Sequence, residues 1–344
     1  MMEELQLDYS ELQKTVENLL PGEFPFTFEE MVMQFVSGES KSGMLTEIWE
    51  WMISSVTFPI EHGIRLLFLI LFSSLFSNLS KAFSREGTAH IGFLCVYLLL
   101  AVHTVSGFMS SLATTTECME NLCGFAGVLF PLYCISIAVV TGSVTATGYY
   151  QGTAFLISFL ELLSHYCLLP LTRTYLLLAI ASCMQKRQLF RRLLELIVSL
   201  FSWIRKMLLG IALALGAVQG IIAPAIDKLK RTTVIQTAAV IPGLGDLIGG
   251  AWETVMGAGV VLKNSLGIAG MFFLLLIAFV PLVKILMQYL IYRVLAAITE
   301  PVAQNMMEHF LYHVGIAQKL LLETLALGIL LFILLLVIMT RITS

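Results

Sequence analysis

The feature that most constrains this chain is a succession of apolar stretches, each about long enough to cross a bilayer. They fall at about 64–80, 91–112, 122–147, 154–183, 207–226, 265–292 and 320–340. A membrane helix needs ~20 mostly apolar residues, so the chain reads as an all-α, polytopic transmembrane helix bundle of about seven spans. Composition agrees. Hydrophobic residues make up 58% of the 344 and charged residues 12%, about half the charged share with which a soluble domain covers its surface.

The charges are unevenly placed. Residues 1–63 hold 12 of the 23 acidic residues, with only Lys14 and Lys41 opposing them. Residues 1–62 therefore read as an acidic, amphipathic helical cap on a mildly basic membrane domain, 63–344. Leu5, Leu12, Val16, Leu19 and Leu20 recur at helical spacing before Pro21-Gly22. A second helix is expected from Thr27 to Val36, with Thr27 as N-cap and Glu29 and Glu30 in its first turn. A third, with Trp49 and Trp51, leads toward the membrane, where tryptophan favours the interface. No basic and aromatic surface suited to nucleic acid occurs.

The opening Met1-Met2-Glu3-Glu4 has no basic n-region and no apolar h-region, so no signal peptide is visible. This implies either a cytoplasmic N-terminus or a leader missing from this sequence. A basic amphipathic helix, 186–206, carries six basic residues and belongs on the cytoplasmic face by the positive-inside tendency. Splitting the 154–183 stretch into a helical hairpin at Pro170 reconciles that placement with the Lys81–Arg85 loop, and puts the N-terminus outside. Of the six cysteines, only Cys118 and Cys123 flank an expected loop, where a disulfide would need an oxidising compartment.

Ionisable groups inside spans are functional candidates by default. Glu161 and His165 stand four apart, on one helix face, with Arg173 about two turns on. They read either as a polar track along a pore or as a buried pair tying helices together. His309 and His313 have helical metal-site spacing but lack the glutamate of His-Glu-x-x-His, and fit an interfacial helix better. Gly243-Leu244-Gly245-Asp246 matches the Gly-x-Gly-Asp signature of intramembrane aspartyl proteases, but the Tyr-Asp partner that chemistry requires is missing from this sequence. There is no Walker motif and no dinucleotide fingerprint, and no cofactor or metal is implied.

The central 220–284 region is rich in glycine and proline. Pro224, Pro242 and Pro281 are expected to interrupt helices, giving broken or re-entrant segments, which membranes tolerate only when buried in protein or lining a wet cavity. Ala223-Pro224-Ala225-Ile226-Asp227, Arg231-Thr232, Ile241-Pro242-Gly243 and Gly249-Gly250 stand in this region. Leu262-Lys263-Asn264-Ser265-Leu266-Gly267, Pro281-Leu282-Val283-Lys284 and the later Glu300-Pro301 follow. On these residues the chain resembles the stage III sporulation protein AE family of endospore formers.

The resemblance implies a non-enzymatic membrane subunit of the stage III A complex, a secretion-like channel between mother cell and forespore needed for late forespore development. It implies as partners the other stage III A proteins, a separate ATPase subunit and, indirectly, stage II sporulation protein Q. The expected location is the mother-cell membrane around the forespore. Family members usually begin with a cleavable signal peptide, from which this chain departs. Candidate pore or subunit-contact residues are Glu161, His165, Asp227, Arg231, Pro242, Gly243, Gly245, Asp246, Lys263 and Asn264. The alternatives are a stand-alone permease with a midplane solute site, and an aspartyl protease using Asp246.

Overall fold

A computed structural model describes residues 10–20, 26–37, 44–55, 59–82, 86–140, 143–184, 190–238, 244–302 and 305–341. Among them every element is helical. Three short helices come first: α1 (Ser10–Leu19), α2 (Phe28–Ser37) and α3 (Met44–Ser55). Then follow α4 (Ile60–Ala82), α5 (Glu86–Val140) and α6 (Ser143–Leu163). A π-helical segment, Ser164–Leu168, leads into α7 (Leu169–Met184). The chain continues with α8 (Arg191–Ala238), α9 (Leu244–Val302) and α10 (Asn305–Arg341). Among the described residues, five stretches are long and apolar enough to cross a membrane: Cys95–Ala138, Ala146–Cys183, Arg191–Val218, Gly259–Pro301 and Met306–Thr340. The protein is an all-α integral membrane protein.

The short helices form where local chemistry prescribes. Thr27 and Glu30 make a capping box: Thr27 Oγ1 accepts from the Glu30 N–H at 3.2 Å and Glu30 Oε2 accepts from the Thr27 N–H at 3.0 Å. Gln13 of α1 accepts from the Phe28 N–H at 2.7 Å, tying the first two helices together. Phe28 is fully buried and meets Phe273 of α9 with ring centroids 5.2 Å apart. Trp51 is buried, whereas Trp49 is exposed.

Helices α5, α9 and α10 form the core. Ser111 of α5 bonds Gln288 of α9, while Leu129 packs at Gly270 and Tyr133 at Gly267, so α5 and α9 run antiparallel. Ser111 also meets Gln318 of α10, and Met119 packs at Gly328, so α5 and α10 run parallel. The backbones approach closely where glycine permits it. A Cβ on Gly270 would stand 2.5 Å from Leu129 Cδ2, and one on Gly267 2.6 Å from Thr340 Cγ2. Membrane helices have no hydrophobic drive toward one another, so such close contact supplies much of their attraction.

Several sequence expectations are corrected here. The stretches 91–112 and 122–147 are not two separate spans: all of the first and the second as far as Val140 belong to α5, a helix of 55 residues, about 80 Å long at 1.5 Å per residue, and Ser143 already opens α6. The polar run 114–121 between them mimics a loop. The helix tolerates the run because Thr114, Thr115 and Thr116 each find a partner for their hydroxyl within it, donating to the carbonyl four residues back at 3.0, 2.8 and 2.9 Å. Cys118 and Cys123 therefore flank no loop, and both are buried free thiols inside α5.

Pro170 does not fold the 154–183 stretch into a hairpin. The chain stays helical from Ser143 to Met184, with a π turn absorbing the missing proline N–H, and the N-terminus-outside argument loses its basis. Pro131 and Pro281 lie inside continuous helices. The part of the basic 186–206 stretch that lies within the described residues, from Arg191 on, and the 207–226 span belong to one helix, α8. Among the described residues, five candidate spans stand against the expected seven.

Candidate functional site

Charged residues of α5, α6, α8 and α10 lie near one level of the bundle. Arg205 of α8 pairs with Glu323 of α10 at 2.6 Å, and Lys319 lies 3.6 Å from the same carboxylate. Because Met119 packs at Gly328, Glu323 stands about one turn from Glu117 and two from Glu120 on α5. On the other side of α5, Glu120 shares a cavity with Glu161 and His165 of α6 and the π segment.

This cavity, of about 350 Å³, is half open to the surroundings. Its walls come from α5 (Thr116, Glu120 and Cys123 among them), from Ser158 and Glu161 of α6, and from Ser164 and His165. The π turn shapes it. Pro170 has no N–H to offer, and the ladder resets one residue out of step, with the Leu169 N–H bonded to the Ser164 carbonyl. Ser164 is 2% exposed and its Oγ has no hydrogen-bond partner, although it lines the cavity. Glu120, Glu161 and His165 are exposed, and among the described residues no basic side chain forms an ion pair with either carboxylate. The site offers two carboxylates, an imidazole and a free hydroxyl to a cationic or hydrogen-bond-donating group.

The structure thus brings together two of the residues picked from sequence, Glu161 and His165. Arg173 lies on the exposed face of α7, beyond Pro170. Lys263 is elsewhere. It is fully buried, and its Nζ donates to the Thr340 carbonyl at 3.0 Å, near the C-terminus of α10, where a cation complements the helix dipole. Neighbouring Asn264 is exposed. Asp227 and Arg231 fall in the helical backbone of α8, and Gly245 and Asp246 in that of α9, but their side chains lie outside the described residues. Pro242 and Gly243 lie outside them altogether. His313 Nδ1 meets Tyr175 OH at 2.9 Å, whereas His309 is exposed.

The sequence reading missed a second polar cluster. Ser111 donates to Gln288 Oε1 at 2.7 Å and accepts from Gln318 Nε2 at 3.0 Å, while Gln288 Nε2 donates to the Gly107 carbonyl at 3.2 Å. One turn away, His62 Nε2 meets Tyr292 OH at 3.0 Å and its ring stacks on His103. A Cβ on Gly107 would stand 2.5 Å from His62 Nε2, so the contact needs glycine there. The available signal was the four-residue spacing of Gly107 with Ser111 and of Gln288 with Tyr292. Single neutral polar residues in apolar helices stand out less than charges, and Glu120 was read as part of a loop.

A family model for stage III sporulation protein AE matches residues 26–343, a range that takes in all five candidate spans. The stage III sporulation protein AE of Bacillus subtilis (strain 168) is 27% identical over 284 residues, covering 81% of this chain and 71% of that protein. No solved structure matches. The family is named for a stage of sporulation and not for a reaction. The chain belongs to the stage III sporulation protein AE family, and its role is in sporulation.

Proposed function

We propose that this chain is a membrane subunit of the stage III A complex, a secretion-like channel that joins mother cell and forespore and is required for late forespore development. It would sit in the mother-cell membrane surrounding the forespore. Its partners would be the other stage III A proteins, a separate ATPase subunit that supplies energy, and, indirectly, stage II sporulation protein Q. The observation that carries this reading is the family match, which extends over every long helix. The open acidic cavity adds to it, because carboxylates on the outer face of a membrane bundle are costly unless a neighbour or water covers them. Of the sequence candidates, Glu161 and His165 are the residues proposed for subunit contact or the path. Asp227, Arg231, Pro242, Gly243, Gly245, Asp246, Lys263 and Asn264 remain proposed for the same roles.

The test is affinity purification of the tagged chain from sporulating cells, with a late forespore reporter scored in a deletion strain. The reading expects the other stage III A proteins to co-purify and the reporter to fail without the chain. Repeated purification of the chain alone would overturn it. A stand-alone permease is favoured by one observation, the half-open cavity of about 350 Å³ within the spans. Solute uptake by liposomes holding only this chain would support that second reading.

A further inference from the structure

Two outer faces of the bundle match each other in charge, spacing and level. On α5, Glu117, Glu120, Gly124 and Gly127 are all exposed, at intervals of three, four and three residues, so they form one stripe. A Cβ added to Gly124 or Gly127 would meet nothing within 4 Å. The cavity with Glu161, His165 and the unpartnered Ser164 Oγ opens beside the acidic end of this stripe. On α8, Trp203, Lys206, Gly210 and Leu213 are exposed at the same three, four, three intervals, and Gly210 too has open space before it. Among the described residues no carboxylate pairs with Lys206.

The two stripes lie at the same level. Arg205 pairs with Glu323, and Gly216 packs against Ile338, so α8 runs parallel to α10 and hence to α5. Met119 against Gly328 then places Lys206 within about 10 Å of Glu120 along the bundle axis, at 1.5 Å per residue. Level is decisive in a membrane. Copies inserted the same way are related by rotation about the membrane normal, so a donor can reach an acceptor on the next copy only at matching depth. Different faces of one subunit meeting in this way make a head-to-tail, ring-forming interface.

We propose that the chain assembles with copies of itself, α8 of one copy laying Lys206 along Glu120, and Gly210 along Gly124, of α5 in the next. The ammonium group neutralises the acidic rim of the cavity, with Glu161 and the Ser164 hydroxyl as further acceptors within its reach. The facing glycines let two parallel helices approach closely, as small residues do in membrane helix pairs. In the same register, Leu213 faces Gly127 and Trp203 faces Glu117. The assembly is a property of this chain alone and does not depend on the stage III A partners proposed above.

The experiment is native mass spectrometry of the full chain in lipid nanodiscs, with cysteine cross-linking of neighbouring copies. The wild-type chain is expected to be oligomeric. Glu120→Lys or Lys206→Glu alone should weaken the oligomer about tenfold or more, and the two together should restore it. In a background lacking the exposed Cys95, Gly127→Cys on one copy should cross-link to Leu213→Cys on another, and not to Trp203→Cys. Should a charge reversal fail to fold by circular dichroism, Glu120→Gln and Lys206→Gln replace it, each expected to weaken the oligomer. A monomeric wild type, an oligomer indifferent to these changes, or cross-linking out of register would overturn the proposal. Oligomers that form only when another stage III A protein is added would overturn it too, while leaving the complex-subunit reading intact.

Discussion

Replacing Gln288 with methionine tests whether the core helices are held by polar contacts as well as by packing. Methionine keeps the length of the side chain, so packing changes little. Two hydrogen bonds disappear, from Ser111 Oγ at 2.7 Å and to the Gly107 carbonyl at 3.2 Å. Ser111 is not orphaned, because its hydroxyl also lies 3.3 Å from the Gly107 carbonyl and still accepts from Gln318. At about 0.6–1 kcal/mol for each interhelical hydrogen bond, the expected cost is ~1–2 kcal/mol, well below the cost of stranding a buried polar group. Gln318→Met removes one bond to the same hydroxyl and should cost about 1 kcal/mol. Both residues act through Ser111, so the double variant should deviate from additivity by about 0.5 kcal/mol or more. The assay is reversible unfolding in mixed micelles titrated with denaturing detergent, followed by helical circular dichroism. No loss in either single variant, or strict additivity in the pair, would refute a shared network.

Other changes have distinct expected outcomes. Glu323→Gln leaves Arg205 without its anion. With that side chain 31% exposed, the loss should be about 1–2 kcal/mol, less than for a fully buried pair, as read by the same titration. Gly267→Ala forces a methyl group against Thr340 and the Tyr133 ring and should cost ~1–3 kcal/mol, whereas Gly127→Ala, facing open space, should leave monomer stability within about 0.5 kcal/mol. Thr27→Ala removes one half of the capping box and should weaken α2 by about 1 kcal/mol, seen as faster hydrogen exchange confined to residues 28–37.

How much of this was legible in the sequence depended on the kind of signal. Apolar length announced a membrane bundle, and the Thr27–Glu30 spacing announced α2, because both depend on local residues alone. Two features were misread as chain reversals. The polar break 114–121 looked like a loop between two spans, and Pro170 looked like the tip of a hairpin. Threonine hydroxyls satisfy themselves by donating to carbonyls four residues back, and the π turn before Pro170 re-pairs the backbone, so neither feature reverses the chain. Glu161 and His165 stood out as charges on one face of a single helix. Glu120, their neighbour from α5, became visible only through tertiary packing.

The acidic cavity, the level of its carboxylates and the matched faces all depend on α5 being one continuous helix, and a single distance tests that most directly. In a chain whose other cysteines are replaced, spin labels at the exposed positions Cys95 and Ile135→Cys would be measured by pulsed electron paramagnetic resonance in nanodiscs. A continuous helix predicts a separation of about 60 Å, from 1.5 Å per residue. A distribution centred near 20 Å or less would mean that the polar run 114–121 reverses the chain, and would contradict the account.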